Sequence, residues 1–204
     1  MRRALAFLAV VAACLGLLAA PASAERVVGR DGRADVVRIS GSDLARSARP
    51  EVDLVRFAVR YGRHRISAVL RYRDLRPRGD AFSAGLAMDF PAGHEMWEGG
   101  LDVTAGPGDR RGTAEAWADG SDGLEPGPDC RVRHRIDYRR DVVRISAPAH
   151  CFGRPRYVDA FVRTHVVRRD TETYWADVAP ATYREISGDA PSHGRSPFVR
   201  VRRG

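Results

Sequence analysis

Residues 53–73, DLVRFAVRYGRHRISAVLRYR, decide the fold predicted for this chain. In the first half, apolar side chains alternate with arginines, at Val55, Phe57, Val59 and Tyr61. The same period of two returns from Ile66 to Tyr72, and it is the spacing of a β-strand, whose successive side chains point to opposite faces. Gly62-Arg63-His64 separates the halves as a tight turn. The stretch therefore predicts an antiparallel hairpin with one buried face and one arginine-rich face in water.

The alternation recurs along the rest of the chain. Further candidate strands lie at residues 36–39, 82–90, 101–105, 113–119, 130–138, 142–146, 157–167 and 171–177. No stretch has the 3.6-residue period of an amphipathic helix, and only Ser42 to Ala48 is expected to form a single turn. About eight or nine short strands joined by Gly/Pro turns predict an all-β protein, a two-sheet antiparallel β-sandwich of jelly-roll or immunoglobulin-like type.

The N-terminus has the pattern of a secretory signal peptide. Met1-Arg2-Arg3 is followed by an apolar run from Ala4 to Ala20 and by the small-residue site Pro21-Ala22-Ser23-Ala24. We therefore expect a signal peptide at 1–24, a secreted protein without a transmembrane segment after cleavage, and a single domain at 25–204 whose tail is irregular from about 179. The alternative is a lipoprotein anchored through Cys14, because Val11-Ala12-Ala13-Cys14 resembles a lipoprotein box.

Arginine dominates the charge of the chain. All 34 basic residues are arginines, and the formal net charge is +8. The strand alternation places a set of them on the solvent side: Arg56, Arg60, Arg65, Arg71, Arg73, Arg131, Arg133 and Arg135. If these strands share a sheet, they form a positive field suited to anionic polymers or lipid head groups, whereas a solvated surface without a ligand is the simpler alternative. Nucleic acid is not expected as a partner of an exported protein.

The cysteines predict one disulfide bond. Cys14 leaves with the signal peptide, so Cys130 and Cys151 are the only pair in the mature chain. Two cysteines in an oxidising compartment usually pair, and the chain has neither a C-x-x-C motif nor a Cys/His cluster at zinc spacing. We therefore expect a structural Cys130–Cys151 bond and no metal or cofactor at these residues.

Short signatures in the chain resemble those of one group of extracellular sandwiches. They are Asp53-Leu54-Val55, Tyr72-Arg73-Asp74-Leu75, the strand Val142 to Pro148, Cys151-Phe152-Gly153 and Tyr174-Trp175-Ala176-Asp177. Their order is similar to that in family-nine carbohydrate-binding modules and DOMON-type sandwiches, and the Pro-x-x-Cys-x-Gly-x-Pro stretch from Pro148 to Pro155 resembles that of other secreted bacterial proteins. The resemblance implies the sandwich fold. It transfers neither sugar-binding aromatics nor haem ligands to residues of this chain.

Three tryptophans are the candidate platforms for a glycan, because sugar-binding sandwiches use aromatic faces. Trp117 follows Glu115 at strand spacing and is expected to point outward, Trp97 lies in a loop or edge strand, and Trp175 lies in the last candidate strand. Packing in the core or at its rim is the alternative for each of them.

The leading hypothesis from the sequence is a secreted non-catalytic module that binds a glycan or an anionic polymer of the cell envelope. Trp97, Trp117, Trp175, Arg56, Arg60, Arg71 and Arg73 are its candidate ligand-binding residues. An enzyme acting on envelope polysaccharide is the first alternative, with acids among Asp89, Glu95, Asp102 and Glu115, although no Gly-x-Ser-x-Gly or His-Glu-x-x-His motif is present. A structural or protein-interaction module is the second. The oxygen-rich segment Asp119–Glu125 is a further candidate, for calcium, although it lacks the spacing of a calcium loop.

Overall fold

The computed structural model describes residues 24–40, 43–47, 49–76, 80–119, 130–168, 173–180 and 198–204, and these residues form an all-β fold. The strands are β1 (Glu25–Arg30), β2 (Val36–Ser40), β3 (Asp43–Ser47), β4 (Leu54–Tyr61), β5 (Arg65–Tyr72), β6 (Ala81–Ala92), β7 (Glu95–Gly106), β8 (Asp109–Asp119), β9 (Arg133–Asp137), β10 (Val142–Pro148), β11 (Tyr157–Val167), β12 (Thr173–Ala179) and β13 (Val199–Arg202). A short 3-10 helix, Ala149–Phe152, follows β10. In the described part of the chain, no helix is long and apolar enough to cross a membrane.

The first sheet has five antiparallel strands in the order β1-β4-β5-β10-β9. The hairpin predicted from residues 53–73 is confirmed as β4 and β5. In its turn, the amide of Gly62 donates a hydrogen bond to the carbonyl of Arg65 at 2.9 Å. One detail of the prediction is wrong. The register shifts between Leu54 and Arg56, so Leu54 takes the buried position and Val55 is only partly buried.

The second sheet has eight antiparallel strands. Its main path is β3-β2-β12-β11-β6-β7-β8, and β13 pairs with β11 off this path. The expected hairpin around Gly106-Pro107-Gly108-Asp109 is confirmed as β7 and β8. The two sheets stack as a sandwich, and the inward side chains of both enclose one apolar core.

Three segments differ from their predicted structure. Glu25–Arg30, where no strand was predicted, form β1 at the edge of the first sheet. Where a single turn was expected near residues 42–48, Asp43–Ser47 form β3, a short, charged strand at the sheet edge. Where an irregular tail was expected, Val199–Arg202 form β13, and Val201 is fully buried against the core. Residues 1–23 of the predicted signal peptide, the loop at 120–129 and the segment 181–197 lie outside the described residues.

Aromatic side chains fill the space between the sheets. Tyr72 and Phe82 meet edge to face at 5.6 Å between ring centroids, and Phe90 meets Phe152 of the 3-10 helix at 5.7 Å. Such pairs stabilise by about 0.5–1.5 kcal/mol beyond the burial of their surface. The outer faces of both sheets are therefore held on a rigid core, which fixes the positions of the polar side chains that they carry.

Candidate functional site

The outer face of the five-stranded sheet is covered with arginines. Because directly opposed residues of neighbouring strands share a face, the strand registers place the following side chains together, and we call this surface the arginine face: Arg26, Arg30, Arg56, Arg60, Arg65, Arg71, Arg133, Arg135 and Arg144. All of them are exposed except Arg65, which is half-buried. The predicted wet arginine surface is therefore present, and strands β1 and β10 extend it beyond the predicted set.

Several of these arginines stand directly opposite one another. The opposed pairs are Arg26 and Arg60, Arg30 and Arg56, Arg56 and Arg71, and Arg144 and Arg135. Like charges directly across a strand pair destabilise a sheet. Within the described ranges, one carboxylate neutralises an arginine of this face, that of Asp137, whose Oδ2 lies 3.5 Å from Arg135 Nη2. The face thus carries a concentrated charge that the sheet itself does not balance.

A shallow groove runs over one end of the arginine face. It has a volume of about 340 Å³ and lies between Arg133, Arg135 and Arg144, with Ser67 and Ser146 in its floor. Beside it, Arg65 Nη2 donates to both the carbonyl oxygen and the Oγ of Ser146 at 2.9 Å. Partial burial and the positive charge of Arg133 lower the pKa of Arg65, a sign of crowded positive charge. Guanidinium and hydroxyl donors around an open groove are the groups that bind phosphate, sulfate or carboxylate oxygens.

Not every predicted arginine belongs to this face. Arg73 lies beyond the end of β5, and its Nη1 is 3.5 Å from the buried Oδ2 of Asp53, so we do not retain it as a ligand-binding residue. Arg131 is exposed but precedes β9. Sequence reasoning missed Arg26, Arg30 and Arg144, although each follows the period-two alternation of its strand and could have been found from it.

Two of the three tryptophans do not offer a free aromatic face. Trp97 is only 5% exposed and packs in the core, which is incompatible with the predicted role as a glycan platform. It was expected in a loop or edge strand, but it lies in β7, between two paired strands. Trp175 is partly buried, and the guanidinium carbon of Arg49 lies 3.9 Å from the centroid of its ring.

Trp117 lies on the outer face of the eight-stranded sheet, as its alternation predicted. Its ring rests against Gly100, where a Cβ would come within 2.8 Å of two ring carbons. Its Nε1 donates to Asp102 Oδ2 at 2.7 Å, and Arg163 Nη2 donates to the same oxygen at 2.8 Å. The indole is therefore held in one orientation by the glycine below it and the carboxylate beside it, and Asp102 is occupied as an acceptor.

Carboxylates dominate this second outer surface. We call it the carboxylate face, and its acids are Asp89, Glu98, Asp102, Glu115, Asp119 and Asp159. Partial burial, together with the charges of Glu98 and Asp159, raises the pKa of Asp89. Arg200 neutralises Asp159 with two hydrogen bonds, of 2.8 and 2.7 Å. The two outer faces of the sandwich are thus opposite in charge.

The acids considered for catalysis are only partly brought together. Asp102 and Glu115 are directly opposed on β7 and β8, and they line a groove of about 290 Å³ with Arg163 and His165. Burial and the charge of Arg163 lower the pKa of His165, while Asp102 opposes this effect. Asp89 lies elsewhere on the carboxylate face. Glu95 begins β7 and is exposed.

Cys130 and Cys151 form the predicted disulfide bond, with 5.4 Å between their Cα atoms. The bond joins the residues before β9 to the 3-10 helix after β10. Nearby, His134 contacts the carbonyls of Arg111 and Gly112 through Nε2 at 3.0 and 3.1 Å. Of the oxygen-rich segment considered for calcium, only Asp119 lies within the described residues.

No protein-family model matches this chain, and no curated protein is significantly similar to it.

Proposed function

We propose that this protein is an exported, non-catalytic β-sandwich that binds an anionic polymer of the cell envelope across the arginine face. The observation that carries the proposal is the set of directly opposed arginine pairs on this face. Such pairs cost folding free energy unless an anion lies between them, because each guanidinium repels its neighbour. A polymer with regularly spaced anionic groups would relieve several of these repulsions at once.

The same geometry favours an anionic ligand over a neutral glycan. A neutral sugar needs an open aromatic face. Trp97 is buried, the guanidinium of Arg49 lies over the ring of Trp175, and the ring of Trp117 lies against Gly100 with the guanidinium carbon of Arg163 5.3 Å from its centroid. The arginine face, by contrast, offers exposed guanidinium groups on five neighbouring strands. We therefore assign the ligand class as phosphate-, sulfate- or carboxylate-bearing polymer.

Two features support the exported location. The Cys130–Cys151 bond is of the kind that persists in oxidising compartments. The N-terminal residues have the charge, apolar run and small residues of a secretory signal. Anionic polymers are abundant in the cell envelope, so the location and the charge of the surface support the same ligand class.

The test is a binding assay with the purified protein on immobilised polyphosphate, polygalacturonate and neutral cellulose at low and high salt. We expect binding to both anionic polymers but not to cellulose, and we expect high salt to abolish it, since exposed charges are screened over about 10 Å at 0.1 M salt. Substituting Arg56→Gln and Arg71→Gln together should weaken the binding about 5- to 30-fold, which corresponds to about 0.5–1 kcal/mol per lost ion contact.

The matched control is Arg38→Gln with Arg168→Gln. It removes the same charge from exposed arginines associated with the eight-stranded sheet, Arg38 in β2 and Arg168 just after β11. It should leave the affinity within about twofold of the unchanged protein, because the local field of the arginine face is intact. Equal losses in both double variants would show that only net charge matters and would overturn the assignment of the face. Salt-resistant binding to cellulose would overturn the ligand class.

A further inference from the structure

Four aspartates converge at one end of the sandwich, where the chain crosses between the sheets. Asp31 and Asp35 lie in the connection from β1 to β2, Asp53 immediately precedes β4, and Asp177 lies in β12. One carboxylate oxygen from each of Asp31, Asp35 and Asp177 lies within 4.8 Å of the other two. Asp53 lies beside them, since its Oδ2 accepts from the amide of Ala34 in the same connection, and the amide of the next residue, Leu54, donates to Asp177.

Burial makes this cluster unlike an ordinary acidic surface. Asp53 and Asp177 are both 0% exposed. Both carboxylate oxygens of Asp177 accept hydrogen bonds: Oδ2 from the amide of Leu54 at 2.7 Å and Oδ1 from the amide of Val178 at 2.9 Å. These amide donors hold the carboxylate in place, but they do not supply a positive charge.

Three oxygens of the cluster are buried without a partner. No hydrogen-bond donor in the described part of the chain reaches Asp31 Oδ2, Asp35 Oδ1 or Asp53 Oδ1. Leaving a buried polar atom unpaired costs about 1–3 kcal/mol, and more for a charged group. Asp53 is the decisive case, because its side chain is fully buried and one of its oxygens has no donor.

The local sequence is shaped to bring these carboxylates together. A Cβ at Gly32 would overlap the carboxylate of Asp35, so only glycine allows that side chain to lie across the loop. The amide of Ala34 donates to Asp53 Oδ2 at 3.1 Å, which fixes the loop onto the strand entering the first sheet. Asp31-Gly32-Arg33-Ala34-Asp35 thus supplies two carboxylates from one short turn.

Positive charge near the cluster is insufficient to balance it. The guanidinium of Arg73 lies 3.5 Å from Asp53, with half of its side chain exposed, and the charge of Arg46 acts on Asp35. Because these carboxylates lie close together and three buried oxygens among them have no donor, the cluster requires either protons or a cation.

We propose that Asp31, Asp35 and Asp177, with the buried Asp53 beside them, form a calcium site that ties the two sheets of the sandwich together. Carboxylate oxygens are the ligands of hard divalent cations. Calcium accepts an irregular cage built from several protein carboxylates, whereas Mg²⁺ demands near-octahedral geometry and keeps most of its water. Asp31 directly follows β1 of the first sheet and Asp177 belongs to β12 of the second, so the ion cross-links the two sheets and stabilises the fold. The site is distinct from the Asp119–Glu125 segment considered from the sequence.

The test begins with purified protein freed of metal by EDTA and then freed of the chelator. Thermal unfolding is followed with millimolar CaCl₂, with the same concentration of MgCl₂ or MnCl₂, and with chelator, and bound metal is counted by elemental analysis. Calcium at 100-fold excess over its dissociation constant should raise Tm by about 5–11 °C, with one ion bound per chain. An unchanged Tm in calcium, or a larger shift in Mg²⁺ or Mn²⁺, would overturn the proposal.

The variant is Asp35→Asn, matched by Asp119→Asn as a control in the other oxygen-rich segment. Asp35→Asn should weaken calcium binding about 10-fold or more, because it removes a charged ligand. In chelator the same variant should melt at a higher temperature than the unchanged protein, since one buried repulsion is gone. A purely structural carboxylate would give a lower Tm under both conditions, which would overturn the proposal, as would loss of the calcium shift in Asp119→Asn.

Discussion

Removal of the Cys130–Cys151 bond is the change whose effect can be worked out most directly from the structure. The bond joins residues separated by 21 positions, and it encloses the β9–β10 hairpin. Cross-linking a loop of this length removes conformational entropy from the unfolded chain, and the chain-entropy relation gives about 3 kcal/mol at 25 °C. For a chain of this size, that loss corresponds to a fall in Tm of about 6–12 °C.

The assay is urea denaturation and thermal melting of the unchanged protein and of the double variant Cys130→Ala, Cys151→Ala. Alanine is the better replacement, because Cys151 is only 6% exposed and a serine hydroxyl there would lack water. The m value should also rise in the variant, since an open unfolded chain exposes more surface. Reducing agent should destabilise the unchanged protein and leave the variant unaffected.

Two results would refute this reasoning. A stability loss below about 1 kcal/mol with an unchanged m value would mean that the unfolded chain is equally compact without the bond. A variant that reducing agent destabilises as much as the unchanged protein would mean that the agent does not act by cleaving this bond.

The remaining predictions concern the two outer faces. Gly100→Ala should lower the free energy of unfolding by about 1–3 kcal/mol in urea denaturation, because the new Cβ would collide with the indole ring of Trp117. The control Gly108→Ala, with no atom within 4 Å of the new Cβ, should lower it by under about 0.5 kcal/mol. Equal losses in the two variants would contradict this. Replacing both Arg56 and Arg71 by Gln should raise the free energy of unfolding by about 0.2–1 kcal/mol at low salt, because a repulsive cross-strand pair is lost. A variant less stable than the unchanged protein would show that the two arginines do not repel each other. The imidazole of His165 should titrate below pH 6.5 in NMR spectra. Because the pKa of His165 is lower in the folded state, the unfolded chain binds the proton more readily, and the protein should lose stability as the pH falls below 6.5. His165→Gln should remove that part of the pH dependence.

The sequence predicted those parts of the fold that depend on local alternation. In β4 and β5, each side chain points inward or outward according to its own position, so the buried Phe57 and the exposed Arg60 could be assigned from the period of two. The register shift after Leu54 could not, because a β-bulge depends on how the partner strand pairs.

The wrong prediction for Trp97 has a similar physical cause. Trp97 belongs to the inward row of β7, but Gly93, Gly99 and Gly100 interrupt the apolar alternation around it and indicate a loop. In the structure, Gly99 and Gly100 are the residues over which aromatic rings lie, since a Cβ at either would collide with one. Glycines that mark close packing and glycines that mark turns cannot be distinguished from spacing alone.

The two candidate sites also differ in whether local sequence could predict them. The arginine face could be predicted because its members repeat along individual strands, and only the pairing partners were unknown. The aspartate cluster could not, since Asp31 and Asp177 are far apart in sequence and meet only when both sheets have formed. The Asp31-Gly32-x-x-Asp35 pattern was the one local signal of that site.

The opposite charges of the two outer faces limit how the protein can assemble. A copy that lies with its arginine face on a polyanion turns its carboxylate face outward, and that face repels a second strand of the same polymer. Such a protein would coat a polymer strand and leave its surface negative, but it would not cross-link two strands.

In free solution at low salt, the arginine face of one copy attracts the carboxylate face of the next, a head-to-tail contact that can repeat without closing. The protein should therefore be least soluble in dilute buffer, and moderate salt should dissolve it.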